Sequence, residues 1–255
     1  MQIIDTHAHM YDYIFHDDIE SVINSCVVSH VTKMLLPSTN FSDIVDAISL
    51  KKRYETLFDV MCGIHPTNVT EDILTQQKLL EHHVANYNFI GIGEIGLDFY
   101  KNTTEKELQI KMFHICLSIA SQLSLPVSIH SRNAFEDTYA ILKHHQHGNL
   151  TGVIHCFSGT EEEAKKYIDI GFVLGIGGII TFKNSHLCDA IKNIPLKNIV
   201  LETDSPYLSP HPHRGERNTP ANLIFITEKL SEIYNTTTTE IITSTTSTAK
   251  NIFKI

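Results

Sequence analysis

His7, His9, Glu94, His130, His155 and Asp204 each follow a short apolar run and precede a stretch of loop-forming residues. The runs are Ile3-Ile4-Asp5-Thr6, Ile90-Gly91-Ile92-Gly93, Val127-Ser128-Ile129, Val153-Ile154 and Ile199-Val200-Leu201-Glu202-Thr203. Side chains alternate faces along an extended chain, so His7 and His9, two apart, point the same way and can bind one cation together. One such pair is weak evidence, because histidine also serves as a hydrogen-bonded core residue. The full set at equivalent strand ends is stronger, since burying that many polar groups without a purpose is costly. Imidazoles mixed with carboxylates suit zinc, manganese, iron or magnesium, and the lack of clustered thiolates argues against a structural zinc site. A carboxylate can bridge two divalent ions about 3.5–4 Å apart, and such pairs activate water while clamping the attacking and leaving oxygens of a phosphate ester. Glu94 is the candidate bridge.

The elements that must carry these residues follow from hydrophobic periodicity. Short β-branched runs alternate with longer stretches of helical period, the pattern of a parallel sheet with crossover helices. Strands are expected near 2–6, 33–37, 58–64, 89–94, 126–130, 152–156, 172–177 and 198–204. Helices are expected near 17–29, 42–53, 71–85, 104–123, 134–146, 160–170, 186–193 and 219–234. Thr103 or Thr104 is placed to cap the fourth helix, and Ile241, Ile242, Ala249, Ile252 and Phe253 predict a last helix near 239–249 despite the threonine-rich composition. Eight strand–helix units favour an α/β fold of the TIM-like (β/α)8 barrel type, with the six residues converging at the C-terminal ends of the strands. No composition break divides the chain, so residues 1–255 are read as one domain.

Composition narrows the function. The apolar fraction of 42% allows a sizeable core, and no run is long enough for a membrane span. The opening residues lack a secretory leader pattern, so a cytoplasmic location with no membrane and no obligate protein partner is expected. Five scattered cysteines without a Cys-x-x-Cys pair suggest reduced thiols. The formal net charge of −9 excludes a general polyanion-binding surface, so any phosphate must be handled locally.

Three motifs appear in order: Asp5-Thr6-His7-Ala8-His9, Gly63-Ile64-His65-Pro66 and Ile92-Gly93-Glu94-Ile95-Gly96-Leu97-Asp98-Phe99-Tyr100. They continue through Leu125 to Arg132, Gly152 to Gly159, Leu201 to Leu208 and Pro212 to Asn218. Over nearly its whole length the chain resembles the TatD-type metal-dependent deoxyribonucleases, within the wider amidohydrolase-like metal hydrolases. The resemblance implies a somewhat irregular TIM-like barrel. It also implies one metal on His7, His9, Glu94 and Asp204 and a second on Glu94, His130 and His155, with water or hydroxide between them. Departures are small: Asn133, Cys116 and Met10 stand where an acidic residue, glutamine and leucine are usual, and none removes a proposed ligand.

The resulting expectation is a deoxyribonuclease in which a metal-bridging hydroxide attacks phosphorus in line, with Asp204 orienting it or taking its proton. The substrate would be DNA, single-stranded or at ends, trimmed 3′-to-5′, a direction that rests on the resemblance alone. His65, with Glu94 and Asp204, forms the catalytic set, His65 donating to a phosphate oxygen. Arg132, Arg217 and Asn218 are candidate substrate contacts, with Arg214 and Lys183 behind them. Glu202 shares a strand face with Asp204 and is placed to orient a ligand or contact a metal-bound water. Asp98 and Tyr100 are read as rim residues outside the catalytic set. His82, His83, His144, His145 and His147 fall at helix ends away from the site. Two other functions use the same residues: hydrolysis of an amide or aminoacyl ester, as in removal of an aminoacyl group from transfer RNA, and a noncatalytic metal- or nucleic-acid-binding barrel.

Overall fold

A computed structural model describes residues 2–100, 105–147 and 150–255. Strands β1 (Ile3–Asp5), β2 (Val31–Pro37), β3 (Phe58–Cys62), β4 (Gly91–Asp98), β5 (Val127–Arg132), β6 (Gly152–Ile154), β7 (Phe172–Ile176) and β8 (Ile199–Leu201) pair in parallel, each with the next. Between them run α1 (Ile19–Val28), α2 (Phe41–Arg53), α3 (Ile73–Asn86), α4 (Lys106–Leu123), α5 (Phe135–His145), α6 (Glu161–Asp169) and α7 (Leu187–Ile191), followed after β8 by α8 (Leu223–Tyr234) and α9 (Thr238–Phe253). An isolated parallel bridge between Ala8 and Ser205 brings the two edge strands together. The result is the nearly closed, TIM-like (β/α)8 barrel that the alternation predicts. None of its described helices is long and apolar enough to cross a membrane.

Strand alternation sorts the apolar residues into two cores. Ile4, Leu35, Met61, Val153, Val173 and Val200 form the inner cluster, with Ala249 and Phe253 of α9 packed on it. Their strand neighbours Ile3, Leu36, Ile154, Leu174 and Leu201 belong to the outer cluster, against the helices. The last helix runs four residues past its expected end. Its threonines are accommodated because hydroxyls bond back one turn, Thr243 Oγ1 to the Thr239 carbonyl at 2.8 Å and Thr245 Oγ1 to that of Ile241 at 2.8 Å. Residues 103 and 104, the expected caps of α4, lie outside the described residues.

The seam between β1 and β8 is held by Asp5. Its carboxylate accepts from the Thr203 amide at 3.1 Å, the Thr203 hydroxyl at 2.6 Å and the His7 amide at 3.1 Å. Asp204 N then donates to the His7 carbonyl at 2.9 Å, which sets the ends of the first and last strands side by side.

β4 departs from the expected pattern, running to Asp98 rather than stopping at Glu94. Its register with β5 shifts between Ile92 and Ile95, where three steps on β4 match two on β5. Ile92 and Ile95 both face the outer core, so the extra residue turns Glu94 inward, as bulges commonly do beside sites. Ser38 secures the bulge: its amide donates to the Gly93 carbonyl at 3.1 Å and its carbonyl accepts from Glu94 N at 2.9 Å. The chain after β3 passes so close that a Cβ on Gly63 would lie 2.5 Å from the Gly93 carbonyl carbon and 2.8 Å from Glu94 N. Both neighbours are backbone. Gly63→Ala is therefore expected to lower stability by about 1–3 kcal/mol, as overpacking does, read as a shifted urea midpoint. An unchanged midpoint would show that the bulge yields freely.

Candidate metal centre

All six sequence-selected residues meet at the C-terminal end of the barrel. His7 and His9 follow β1 rather than lying on it, Glu94 sits within β4, His130 on β5, His155 just past β6, and Asp204 beyond β8. Asp204 has a left-handed backbone, φ 56°, so the chain has already left the strand when its carboxylate turns into the site. Glu94 is central. Its Oε2 lies 3.3 Å from His7 Nε2 and 3.7 Å from His9 Nε2, while its Oε1 lies 2.9 Å from His130 Nδ1 and 3.8 Å from His155 Nε2. The two carboxylate oxygens thus divide four imidazoles into two pairs. Asp204 Oδ1 lies 3.4 Å from His9 Nε2 and 3.8 Å from both His7 Nε2 and His155 Nε2.

What each ring does on its outward side decides what it offers inward. Tyr11 OH must give its single proton to an acceptor, the Pro37 carbonyl at 2.8 Å or Asp43 Oδ2 at 3.3 Å. Toward His9 Nδ1, 2.8 Å away, it can then only accept, which puts the ring proton on Nδ1 and leaves the Nε2 lone pair for the site. His7 Nδ1 lies 3.1 Å from Ser128 Oγ, and its fully buried Nε2 has no hydrogen-bond partner. An orphaned buried nitrogen facing two carboxylates fits a cation position. His155 Nδ1 lies 3.0 Å from Glu202 Oε1, a charge contact rather than an aligned hydrogen bond. Glu202 is fully buried behind His155 and also accepts from Cys156 N at 2.6 Å. It needs the space that Gly175 leaves, where a Cβ would lie 2.1 Å from Glu202 Oε2.

His65 is the inverse case. The Thr67 amide can only donate, and it points at His65 Nδ1 from 3.2 Å. The neutral ring therefore carries its proton on Nε2, 3.6 Å from Glu94 Oε1, and presents a donor to the site. Burial, against the pull of Glu94, pushes its pKa down to about 4 and keeps it neutral. His65, Asp98 and His130 lie close enough to surround an ion, but a protonated Nε2 makes His65 a poor ligand.

The candidate substrate contacts separate. His65 and Arg132 line a cleft of about 760 Å³ together with His9, Glu94, His130, His155 and Asp204. The Arg132 guanidinium stacks on the Tyr100 ring at 3.8 Å. Asn218, expected to touch substrate, is fully buried instead. Its amide donates to the Thr203 carbonyl at 2.8 Å and the Tyr207 carbonyl at 2.7 Å, gripping the loop that carries Asp204 from behind. Arg217 is not among the described residues lining the cleft. Its guanidinium binds Asp18, at 3.0 Å from Oδ1, and the Ile14 carbonyl at 2.6 Å. Arg214 stacks on Phe182 at 3.7 Å. Sequence reasoning passed over Tyr11, Ser128 and Tyr207. The first two sit two residues from His9 and His130, a spacing that could have shown them on the same face, whereas Tyr207 lines the cleft from a loop.

The charges compensate within the cluster. Burial alone would raise Glu94, but His65 and His7 foremost hold its carboxyl well below the usual range. Burial opposes a charge on His155, yet Glu202 raises its pKa to about 10, and His9 and His130 are raised by their own carboxylate neighbours. Without cations, His155 carries a proton at neutral pH, and His9 and His130 are shifted toward the protonated form; a ring that binds a cation must give that proton up. Divalent-ion binding at pH 7 is therefore expected to release protons, and affinity to rise with pH. Calorimetric titration in buffers of different ionisation enthalpy measures this, and binding heats independent of buffer would contradict it.

Comparison with known proteins agrees with this geometry. The profile of the TatD-related DNase family matches residues 4–254. An uncharacterized metal-dependent hydrolase of Buchnera aphidicola is 38% identical over 91% of both chains. YabD of Bacillus subtilis, also described as an uncharacterized metal-dependent hydrolase, is 33% identical over 99% of both. The crystal structure of YjjV, a TatD homologue from Escherichia coli, superposes with a TM-score of 0.90 at 27% identity, covering 99% of this chain and 98% of that one. With its barrel, its inward-facing imidazoles and a family match over almost the whole length, the chain belongs to the TatD-related DNase family, whose members are metal-dependent hydrolases.

Proposed function

We propose that the protein is a deoxyribonuclease that hydrolyses phosphodiester bonds at DNA ends, single strands above all, with two divalent cations. The observation that carries this reading is the division of four imidazoles between the two oxygens of Glu94. His7, His9 and Asp204 would hold one ion, His130 and His155 the other, with Glu94 shared between them. Such ions supply activation of water and neutralisation of charge at phosphorus.

The rest is done by the chain. Burial alone would raise Asp204, but the neighbouring His9 and His155 hold its carboxyl below the usual range, so its Oδ1 is an acceptor that orients water and takes its proton. The His65 Nε2–H donates to a non-bridging phosphate oxygen and strengthens that bond as charge develops. Arg132, held flat on Tyr100, offers paired donors to the same group. The 3′-to-5′ direction rests on the family resemblance.

The test is hydrolysis of end-labelled single- and double-stranded oligonucleotides with Mg²⁺, Mn²⁺ or Zn²⁺, with chelator controls. Shortening from the 3′ end is expected. Activity confined to aminoacyl-RNA or cyclic amides would overturn the DNA reading, and none on any substrate would favour a binding barrel. Asp204→Asn is expected to lower kcat by roughly 10²–10⁴-fold. His65→Ala should lower it by roughly 10²–10³-fold, the scale of losing one oxyanion donor, with cation binding retained. Full activity of Asp204→Asn on every diester would remove Asp204 from its role.

A further inference from the structure

The outward nitrogens of His7, His9 and His155 face Ser128, Tyr11 and Glu202. His130 has a partner of its own. Its Nδ1 lies 2.9 Å from Glu94 Oε1, and its Nε2 lies 3.1 Å from Asp98 Oδ2. We propose that Asp98 is a positioning residue for the centre: it fixes the ring proton of His130 on Nε2 and so delivers the Nδ1 lone pair to a cation shared with Glu94. This rests on the two-cation reading above.

Asp98 is built to do this. It is buried, at 6% exposure, and its second oxygen accepts from Tyr100 N at 2.9 Å. Each oxygen of the carboxylate thus faces a donor, an arrangement that favours the ionised form of Asp98. Its backbone is clamped by buried Gln109, which accepts from Asp98 N at 2.9 Å and donates to the Asp98 carbonyl at 3.2 Å. Across the ladder Asp98 pairs with Arg132, two residues beyond His130, so the carboxylate reaches back along β5 to the ring. Two N–H groups serve both carboxylates when the ring is an imidazolium, but a ring that binds a cation keeps only one. A cation held with Glu94 would take the place of the Nδ1 proton, and the remaining ring proton, on Nε2, would donate to Asp98. Glu202 lies behind His155 as a charge contact, so carboxylates on β4 and just past β8 back His130 and His155 on the side away from Glu94. A carboxylate behind a metal-binding imidazole orients the ring and raises its basicity.

Asp98→Asn tests the role with an almost isosteric side chain. The amide has one oxygen for two donors. Kept on Tyr100 N, it turns its NH₂ toward His130 Nε2 and forces the ring proton onto Nδ1, the cation side. The experiment titrates metal-free wild-type and variant protein with Mn²⁺, following free ion by electron paramagnetic resonance, with thermal unfolding as the check on folding. Wild type is expected to bind two ions. In the variant one site should be unchanged and the other weakened by about 10–100-fold. Long-range ¹H–¹⁵N spectra of Zn²⁺-loaded wild-type protein, labelled at histidine, read the proton position on His130 and decide the matter if the variant does not fold. A proton on Nε2 supports the proposal. Equal binding of both ions by the variant, or a wild-type proton on Nδ1, overturns it while leaving the centre intact. Wild-type protein that binds fewer than two ions overturns the two-cation centre, and the role of Asp98 with it.

Discussion

An imidazole binds a cation only through a nitrogen that carries no proton, so the positions of the ring protons decide what this cluster can do. The deciding contacts lie behind the rings. Tyr11 OH has spent its proton elsewhere and accepts from His9, and Glu202 faces His155 with lone pairs only. The Thr67 amide does the opposite to His65 and turns it into a donor. Two chemical capacities, an inward lone pair and an inward hydrogen-bond donor, thus come from one residue type through the polarity of its outer neighbour. The neighbours come from β5, the residue just past β8 and loops after β1 and β3, so no local segment sets the pattern alone.

The barrel supplies that convergence. A parallel sheet places every strand's C-terminal end on one face, and period-two alternation sends Ser128 and His130 inward together while Ile129 joins the outer core. Alternation alone would have turned Glu94 outward. The β4 bulge, clamped by Ser38 and admitted by Gly63, reverses it. At the other edge, the Asp5–Thr203 contacts and the Asn218 amide hold a loop whose left-handed turn brings Asp204 in. Much of the polar bonding near the seam therefore fixes backbone.

The barrel and the six clustered residues were legible because both follow from periodicity and strand-end position. The finer assignments failed where one extra residue or one rotamer matters. Neither the β4 bulge nor the end of β1 before His7 leaves a mark in hydrophobicity, so Glu94 and His7 looked like strand-end residues in a regular ladder. Asn218 and Arg217 were chosen for side chains that bind phosphate, but the same amide and guanidinium serve equally well to hold carbonyls and a surface carboxylate. Composition cannot tell those uses apart, because only burial decides whether donors face inward or toward the cleft. Asp98 was set aside as a rim carboxylate, since its position in the chain says nothing of a contact with a ring on the next strand.

Charge explains why phosphate would be engaged at one point. The chain carries a formal −9, and Asp12, Asp43 and Asp46 are among the residues lining the cleft. Arg132 is the one lysine or arginine among the described lining residues. At physiological salt, screening over about 8 Å confines such repulsion to the approach to the cleft, where it would oppose a polyanion passing close to these carboxylates. The centre itself is different: its buried carboxylates and inward lone pairs concentrate positive charge there only when cations are held. On the proposed reading, a phosphate would then enter beside His65 and Arg132, and the negative charge of Asp12, Asp43 and Asp46 would oppose its engagement elsewhere in the cleft.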